Sequence, residues 1–288
     1  MREPRNIAAS VRARLRNVAA KRNQPLELLL TRYVLERLLY RLSTTEHRKR
    51  FVLKGAMLMR MWFDTPFRPT RDLDLLGFGD PDPEAILFIF RGLCSIQLDD
   101  GVEFDIQGLR INRIREDNEY GGLRLKTIAT LAGARVPITI DVGFGDAVEP
   151  EIADVELPVL LDLPSPRLYA YPRETVIAEK FQAMVYLGRA NSRMKDFYDI
   201  WLLSLAYEFE GESLSRAIAA TFTRRKTAIP SECPDALTAA FAEDPVKQQQ
   251  WTSFLQDIDA PFVPLVEIVE ALKSFLVPHA AAARTIAA

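Results

Sequence analysis

The stretch Arg71-Asp72-Leu73-Asp74-Leu75-Leu76 alternates acidic with apolar residues, and positions i and i+2 of a strand project to one face. Two carboxylates that point the same way repel unless a cation lies between them. Hard oxygen donors of this kind suit Mg²⁺ or Mn²⁺. A lone D-x-D also occurs on solvated strand edges, but Leu73 and Leu75 argue for a strand with one buried face. Ile138-Thr139-Ile140-Asp141-Val142-Gly143 repeats the alternation and puts Asp141 on the non-core face of its own strand. If the two strands are neighbours, three carboxylates converge, enough for two divalent ions that activate a hydroxyl and clamp a phosphate during in-line displacement. Standing alone, Asp141 would be an ordinary outward-facing aspartate. Lys54-Gly55-Ala56 offers a seat for phosphates if Gly55 turns the backbone into a following helix, whose first N–H groups attract anions, with Lys54 adding a point charge. A simple glycine turn explains the same residues.

The elements that must position these groups are legible as patterns. Helical spacing runs over Ile7–Ala20, and again after Pro25, where Leu28, Leu29, Val34, Leu35, Leu38, Leu39 and Leu42 form an apolar stripe and Arg32, Arg37 and Arg41 its solvated side. A short strand, the Lys54-Gly55 turn and a helix are expected over Phe51–Phe63, with a break from Asp64 to Pro69. Strands are expected at Leu73–Leu76, Val102–Gln107, Arg110–Arg115, Leu123–Leu131 and Arg135–Gly143, covered by a helix over Pro83–Leu93. Pro158, Pro164, Pro166 and Pro172 then hold the chain extended and mark a boundary. Beyond it the pattern is helical over 173–187, 194–207, 212–222, 234–243, 245–257 and 263–276, and an alanine-rich tail from His279 to Ala288 is expected to fray.

Within that helical half, Lys180 shares a face with Val176, Ile177 and Met184, an awkward place for an ammonium unless an anion lies opposite. A triphosphate would serve, and so would an acid such as Glu179 or a snorkelling stem. Asp196 and Asp199 lie one turn apart on a shared face, and Lys195 and Asp199 are spaced to pair. Asp196 also falls in a first turn, where an acid complements the helix dipole.

Composition narrows the class. The 288 residues are 48% hydrophobic and 26% charged, which excludes a disordered, collagenous or coiled-coil chain. No apolar run approaches the roughly 18 residues needed to span a bilayer, and no secretory leader is visible, so a cytoplasmic protein without a membrane is expected. Cys94 and Cys233 are far apart and lack metal-ligand spacing. With only His47 and His279 as histidines, triads and histidine acid–base chemistry are excluded as leading readings. The net charge of −2 conceals polarity: residues 1–71 carry 17 Lys or Arg against 5 Asp or Glu, whereas residues 72–163 carry 7 against 19. Such a chain could gather cations in one half and a polyanion on the other, or simply neutralise itself across a packed interface.

Together, Val52-Leu53-Lys54-Gly55-Ala56-Met57-Leu58, Arg68-Pro69-Thr70-Arg71-Asp72-Leu73-Asp74-Leu75, Glu179-Lys180-Phe181 and Arg193-Met194-Lys195-Asp196-Phe197-Tyr198-Asp199-Ile200 resemble the AbiEii nucleotidyltransferase toxins of type IV toxin–antitoxin systems, within the DNA polymerase β-like superfamily. The resemblance covers roughly residues 20–205 by motif order. It implies an α+β fold: a nucleotidyltransferase-like mixed sheet flanked by helices over 1–160, then a mainly α-helical domain over 161–288 that completes a cleft. By the same resemblance, Asp72 and Asp74 hold Mg²⁺ or Mn²⁺ and Asp141 completes the shell. Lys54, Gly55 and Ala56 bind the NTP phosphates, and Lys180 and Asp196 match two further catalytic motifs, Lys180 also on the nucleotide. Ala56 departs from the usual glycine or serine and removes a hydroxyl contact to phosphate. The implied activity is transfer of NMP from an NTP to an acceptor hydroxyl, with RNA, at the 3′ end of tRNA, as acceptor and a cognate antitoxin as partner. A catalytically degenerate nucleotide-binding protein and a small-molecule (antibiotic) nucleotidyltransferase are the alternatives.

Overall fold

The computed structural model describes residues 6–63, 72–114 and 121–287. Two compact units emerge, Met1–Gly145 with Ala153–Ala170, and Asp146–Ile152 with Tyr171–Ala288. The chain thus passes between these units three times.

In the first unit the order is α1 (Ile7–Arg22), α2 (Leu26–Ser43), β1 (Phe51–Lys54), α3 (Ala56–Trp62), β2 (Asp72–Gly77), α4 (Pro83–Ser95), β3 (Val102–Phe104), β4 (Arg110–Ile114), β5 (Gly122–Leu131), β6 (Ala134–Phe144), β7 (Ala153–Glu156) and β8 (Arg167–Ala170). The strands form one eight-stranded mixed sheet, ordered β3-β5-β6-β2-β1-β8-β7, with β4 also paired on β5. β2–β6 and β1–β8 are parallel and the other pairs antiparallel. The β5–β6 hairpin closes through Ala132 and Gly133, both at positive φ (46° and 80°). That conformation is the type I′ turn whose twist suits two adjoining strands. α4 begins at an Asp82 cap, where the Ala85 amide donates to Oδ2 at 2.8 Å, and buries Phe90 edge-on to Phe51 of β1 at 5.4 Å.

α2 differs from the sequence expectation. It packs on α1, α4, β6 and β8, so the stripe expected to face solvent is enclosed: Arg37 is 3% and Arg41 1% exposed. Their partner is Asp100, itself 1% exposed, which accepts from Arg41 Nη1 at 2.6 Å, Arg41 Nη2 at 3.3 Å and Arg37 Nε at 3.0 Å. Tyr33 donates to the Asp100 carbonyl at 2.7 Å, and burial pushes its hydroxyl pKa up. Helical spacing distinguishes a polar face from an apolar one, but not a solvated polar face from one whose countercharges arrive from elsewhere.

β7 and β8, at the ends of the proline-rich stretch, were not anticipated as strands. Pro158, Pro164 and Pro166 lie between them, and Pro172 precedes the helix that begins at Arg173, so the prolines shape the connections and leave the two strands free to pair. β8 pairs on β1, more than a hundred positions upstream, and β7 adds to the sheet through β8, which local pattern cannot register.

The second unit is helical: α5 (Arg173–Leu187), α6 (Met194–Ala206), α7 (Gly211–Arg224), α8 (Ala239–Ala242), α9 (Pro245–Asp257) and α10 (Leu265–Ala287). The single helix expected over 234–243 is a 3-10 turn, Asp235–Leu237, followed by α8. The tail expected to fray is helical to Ala287, with Pro278 inside it. Ala280 and Ala283 are buried, so the alanines contribute packing as well as the best helix propensity. Among the described residues no helix is long and apolar enough to cross a membrane.

Candidate active site

β2 alternates as its sequence requires. Leu73 and Leu75 are buried at 1% and 0% exposure, while Asp72 is exposed and Asp74 half-buried on the other face. β2 lies between β1 and β6, and the register is informative. Lys54 is opposite Asp74, Asp74 opposite Asp141, and Asp141 opposite Arg124 on β5. Directly opposed residues of paired strands share a face, so four charged side chains form one row across four strands, in the order cation, acid, acid, cation. Two residues along, the next row reads Asp72, Thr139, Lys126. Asp72, Asp74 and Asp141 therefore belong to one face of adjacent strands. The preceding Arg68-Pro69-Thr70-Arg71 lies outside the described residues.

Gly55 joins β1 to α3 at φ 75°, ψ −154°, a region in which residues bearing a Cβ are strained. A Cβ there would also meet Asp74 Oδ2 at 2.1 Å and Asp74 Cβ at 2.8 Å. The missing side chain thus serves the turn and the Asp74 carboxylate, which lies against it. Ala56, half-buried, is the first residue of α3. Replacing Gly55 with alanine is expected to lower stability by roughly 1–3 kcal/mol through backbone strain alone, with displacement of Asp74 in addition. Chemical denaturation measures the first effect.

The fit to a divalent ion is uneven. Asp72 and Asp74 supply the paired oxygen donors that Mg²⁺ prefers. Asp141 does not stand open beside them. Arg124 Nε donates to its Oδ1 at 2.7 Å and Arg124 Nη2 to its Oδ2 at 2.6 Å, a two-pronged guanidinium–carboxylate pair. Among the described residues no group of three or more His, Cys, Asp or Glu is arranged to hold a metal ion. Hydrogen bonding to Asp141, then the fields of Asp141, Asp72 and Asp74, raise the Arg124 pKa against the opposing effect of burial. Arg124 was not foreseen, although the sequence carried the signal. Counting outward in equal steps from the Ala132-Gly133 turn reaches Arg124 and Asp141 together.

The later motifs lie in the helical unit and meet one another. Lys180 Nζ of α5 is 2.7 Å from Asp196 Oδ1 and 2.7 Å from Asp199 Oδ2 of α6, and both aspartates are 0% exposed. The anion facing Lys180 on its awkward face is thus a pair of aspartates, and Asp199 pairs with Lys180 at that distance. Arg193 Nε is 2.6 Å from Asp196 Oδ2. Burial alone would push the Asp196 pKa up, but Lys180 and then Arg193 hold it below the usual carboxylate range. Tyr198 packs among the rings of Trp201, Trp251 and Phe254. Glu179 is 3.2 Å from Arg225, whose guanidinium also lies 3.5 Å from Asp146. Arg225 and Asp146 carried no motif, and no local spacing links them.

Comparison with curated protein sequences gave no match. Among solved structures, JHP933 from Helicobacter pylori is similar at 16% identity and TM-score 0.50, covering 90% of this chain and 93% of that one. A second structure, described as a candidate nucleotidyltransferase from H. pylori, gives the same identity and score over 90% and 95%. At that identity they speak for the fold, a mixed sheet with helices and a helical C-terminal part. The family model for the AbiEii nucleotidyl transferase toxin of type IV toxin–antitoxin systems matches residues 37–276, so the chain belongs to that family of nucleotidyltransferases.

Proposed function

We propose that this toxin-family nucleotidyltransferase transfers a nucleoside monophosphate from an NTP to a hydroxyl of RNA, at the 3′ end of tRNA, in the cytoplasm and under restraint by a cognate antitoxin. The observation that carries the reading is the register of β2 with β6 and β1, which gathers Asp72, Asp74 and Asp141 on one face beside the Gly55 turn. Asp72 and Asp74 are the residues to hold Mg²⁺, with Asp141 as third acid. When bound, the ion would polarise the phosphate oxygens and steady the attacking oxygen. Lys54, at the end of the charged row, and the Gly55-Ala56 turn are suited to the triphosphate. The acceptor oxygen bonds to the α-phosphorus as the bond from that phosphorus to the bridging oxygen breaks, the hydroxyl proton passes to solvent, and pyrophosphate leaves with the bonding electrons. Arg16, Lys21 and Arg22, exposed on α1, offer contacts to an RNA backbone. Lys180 and Asp196 enter as positioning residues through their ion pair.

The engagement of Asp141 by Arg124 favours one competing reading, a nucleotide-binding protein without turnover. Purified protein with labelled NTPs and total RNA separates the two. Wild type is expected to transfer label and release pyrophosphate, and Asp72→Ala to lose at least about 100-fold of that rate. Nucleotide binding without pyrophosphate release would establish the silent protein, and equal transfer by both proteins would reject this site.

A further inference from the structure

Both oxygens of Asp141 accept from Arg124, yet the proposed function needs that carboxylate beside Asp72 and Asp74. We propose that Arg124 is a built-in counter-cation of the acidic face, which competes with a divalent ion for Asp141 and yields that carboxylate when the ion and nucleotide arrive. The inference rests on the metal-dependent reading above and deepens it by naming what governs metal occupancy.

Three observations carry it. First, the backbone fixes the competition: the β5–β6 register puts Arg124 directly opposite Asp141, and the β2–β6 register puts Asp74 on the far side of the same carboxylate. Asp141 thus lies between a guanidinium on one side and an acid on the other. Second, the contact is a planar fork on both oxygens, the strongest common arrangement for an arginine and a carboxylate. Its charge is felt by the whole face, since Asp72 and Asp74 as well as Asp141 act on it. A like charge so placed opposes any further cation. Third, the Arg124 side chain is 42% exposed and that of Asp141 21%. Arg124 therefore has solvent to turn into, and letting go does not strand a buried guanidinium. The same fork that fits a carboxylate fits a phosphate, so Arg124, once released, can face the triphosphate. Idle protein keeps its acids neutralised without metal, and metal binding becomes dependent on what the nucleotide brings.

Mn²⁺ titration of the nucleotide-free protein, followed by electron paramagnetic resonance, tests this without any turnover. Arg124→Met is expected to bind Mn²⁺ at least tenfold more tightly than wild type, with Arg124→Lys, which keeps the charge but loses the fork, in between. The Mg²⁺-induced rise in melting temperature should be larger in Arg124→Met than in wild type, because ligand stabilisation grows with affinity. Unchanged or weaker Mn²⁺ binding in Arg124→Met overturns the inference. The Asp72→Ala, Arg124→Met double variant separates the two layers. If it binds Mn²⁺ as tightly as Arg124→Met, the acidic face is not the metal site and the functional reading itself fails. If it loses binding while Arg124→Met shows no gain over wild type, only the role of Arg124 is refuted.

Discussion

Asp100→Asn is expected to destabilise the sheet unit by about 3–5 kcal/mol, because it leaves two buried guanidinium groups without a countercharge. The substitution keeps the size of the side chain, and an oxygen remains to accept from the Val102 amide, which donates to Asp100 Oδ1 at 3.0 Å. What it removes is the charge that faces Arg37 and Arg41, 3% and 1% exposed. Neither arginine can reach water without unpacking α2 from the sheet. The cost is thus large relative to the 5–15 kcal/mol that holds an ordinary domain folded. Urea titration followed by hydrogen exchange in α2 peptides measures it, and a loss under about 1 kcal/mol would contradict the account. Replacing Arg37, Arg41 and Asp100 together by apolar residues should recover most of the loss, since a buried ion cluster often contributes little over good packing while a broken one is costly.

Lys180→Met should cost the helical unit a similar amount at neutral pH, about 3–5 kcal/mol, and its pH dependence gives the cause away. In the wild type the pKa of Asp196 is depressed. Its contribution to stability is therefore complete above the unfolded aspartate value of about 3.9 and is lost as pH falls through the lower folded value. Without the ammonium, burial, the largest influence on Asp196, dominates and raises the folded pKa of that 0% exposed carboxyl. The folded variant then binds more protons than its unfolded chain, and its stability rises as pH drops from 7 toward 5. The gap between the two proteins should narrow over that interval. A constant gap would mean that Lys180 acts through packing alone.

How much of this was legible in the sequence varied by element. The D-x-D alternation was, because period-2 burial is local: Leu73 and Leu75 name the inner face of β2 and hence the outer one. Asp141 was legible for the same reason. That the two strands adjoin in parallel, with Asp74 level with Asp141, was not, since 66 residues separate them and no short-range pattern records that distance. Arg124 lay between these cases, recoverable once the Ala132-Gly133 turn is recognised. The polar face of α2 misled because its countercharge, Asp100, comes from beyond α4. Lys180 facing an anion was foreseen, but the helical unit itself supplies that anion as Asp196 and Asp199. The family was legible because its motifs are contiguous, whereas the chain passes between its two units three times, which no contiguous stretch records.

The late arrival of β8 shapes how this protein is born. β1 pairs on one side with β2 and on the other with β8, which is 113 residues downstream of the Lys54 end of β1. A nascent chain released at residue 160 would present β1 as a bare, hydrogen-bond-hungry margin, the kind of edge that recruits other chains. Vectorial synthesis must carry the ribosome past Ala170, the last residue of the first unit and well after the second has begun at Asp146, before that margin is sealed. Dissecting the protein into halves at its proline-rich stretch is therefore expected to yield an insoluble first half, and a cut that respects the interleaving has to spare the strand on its far side.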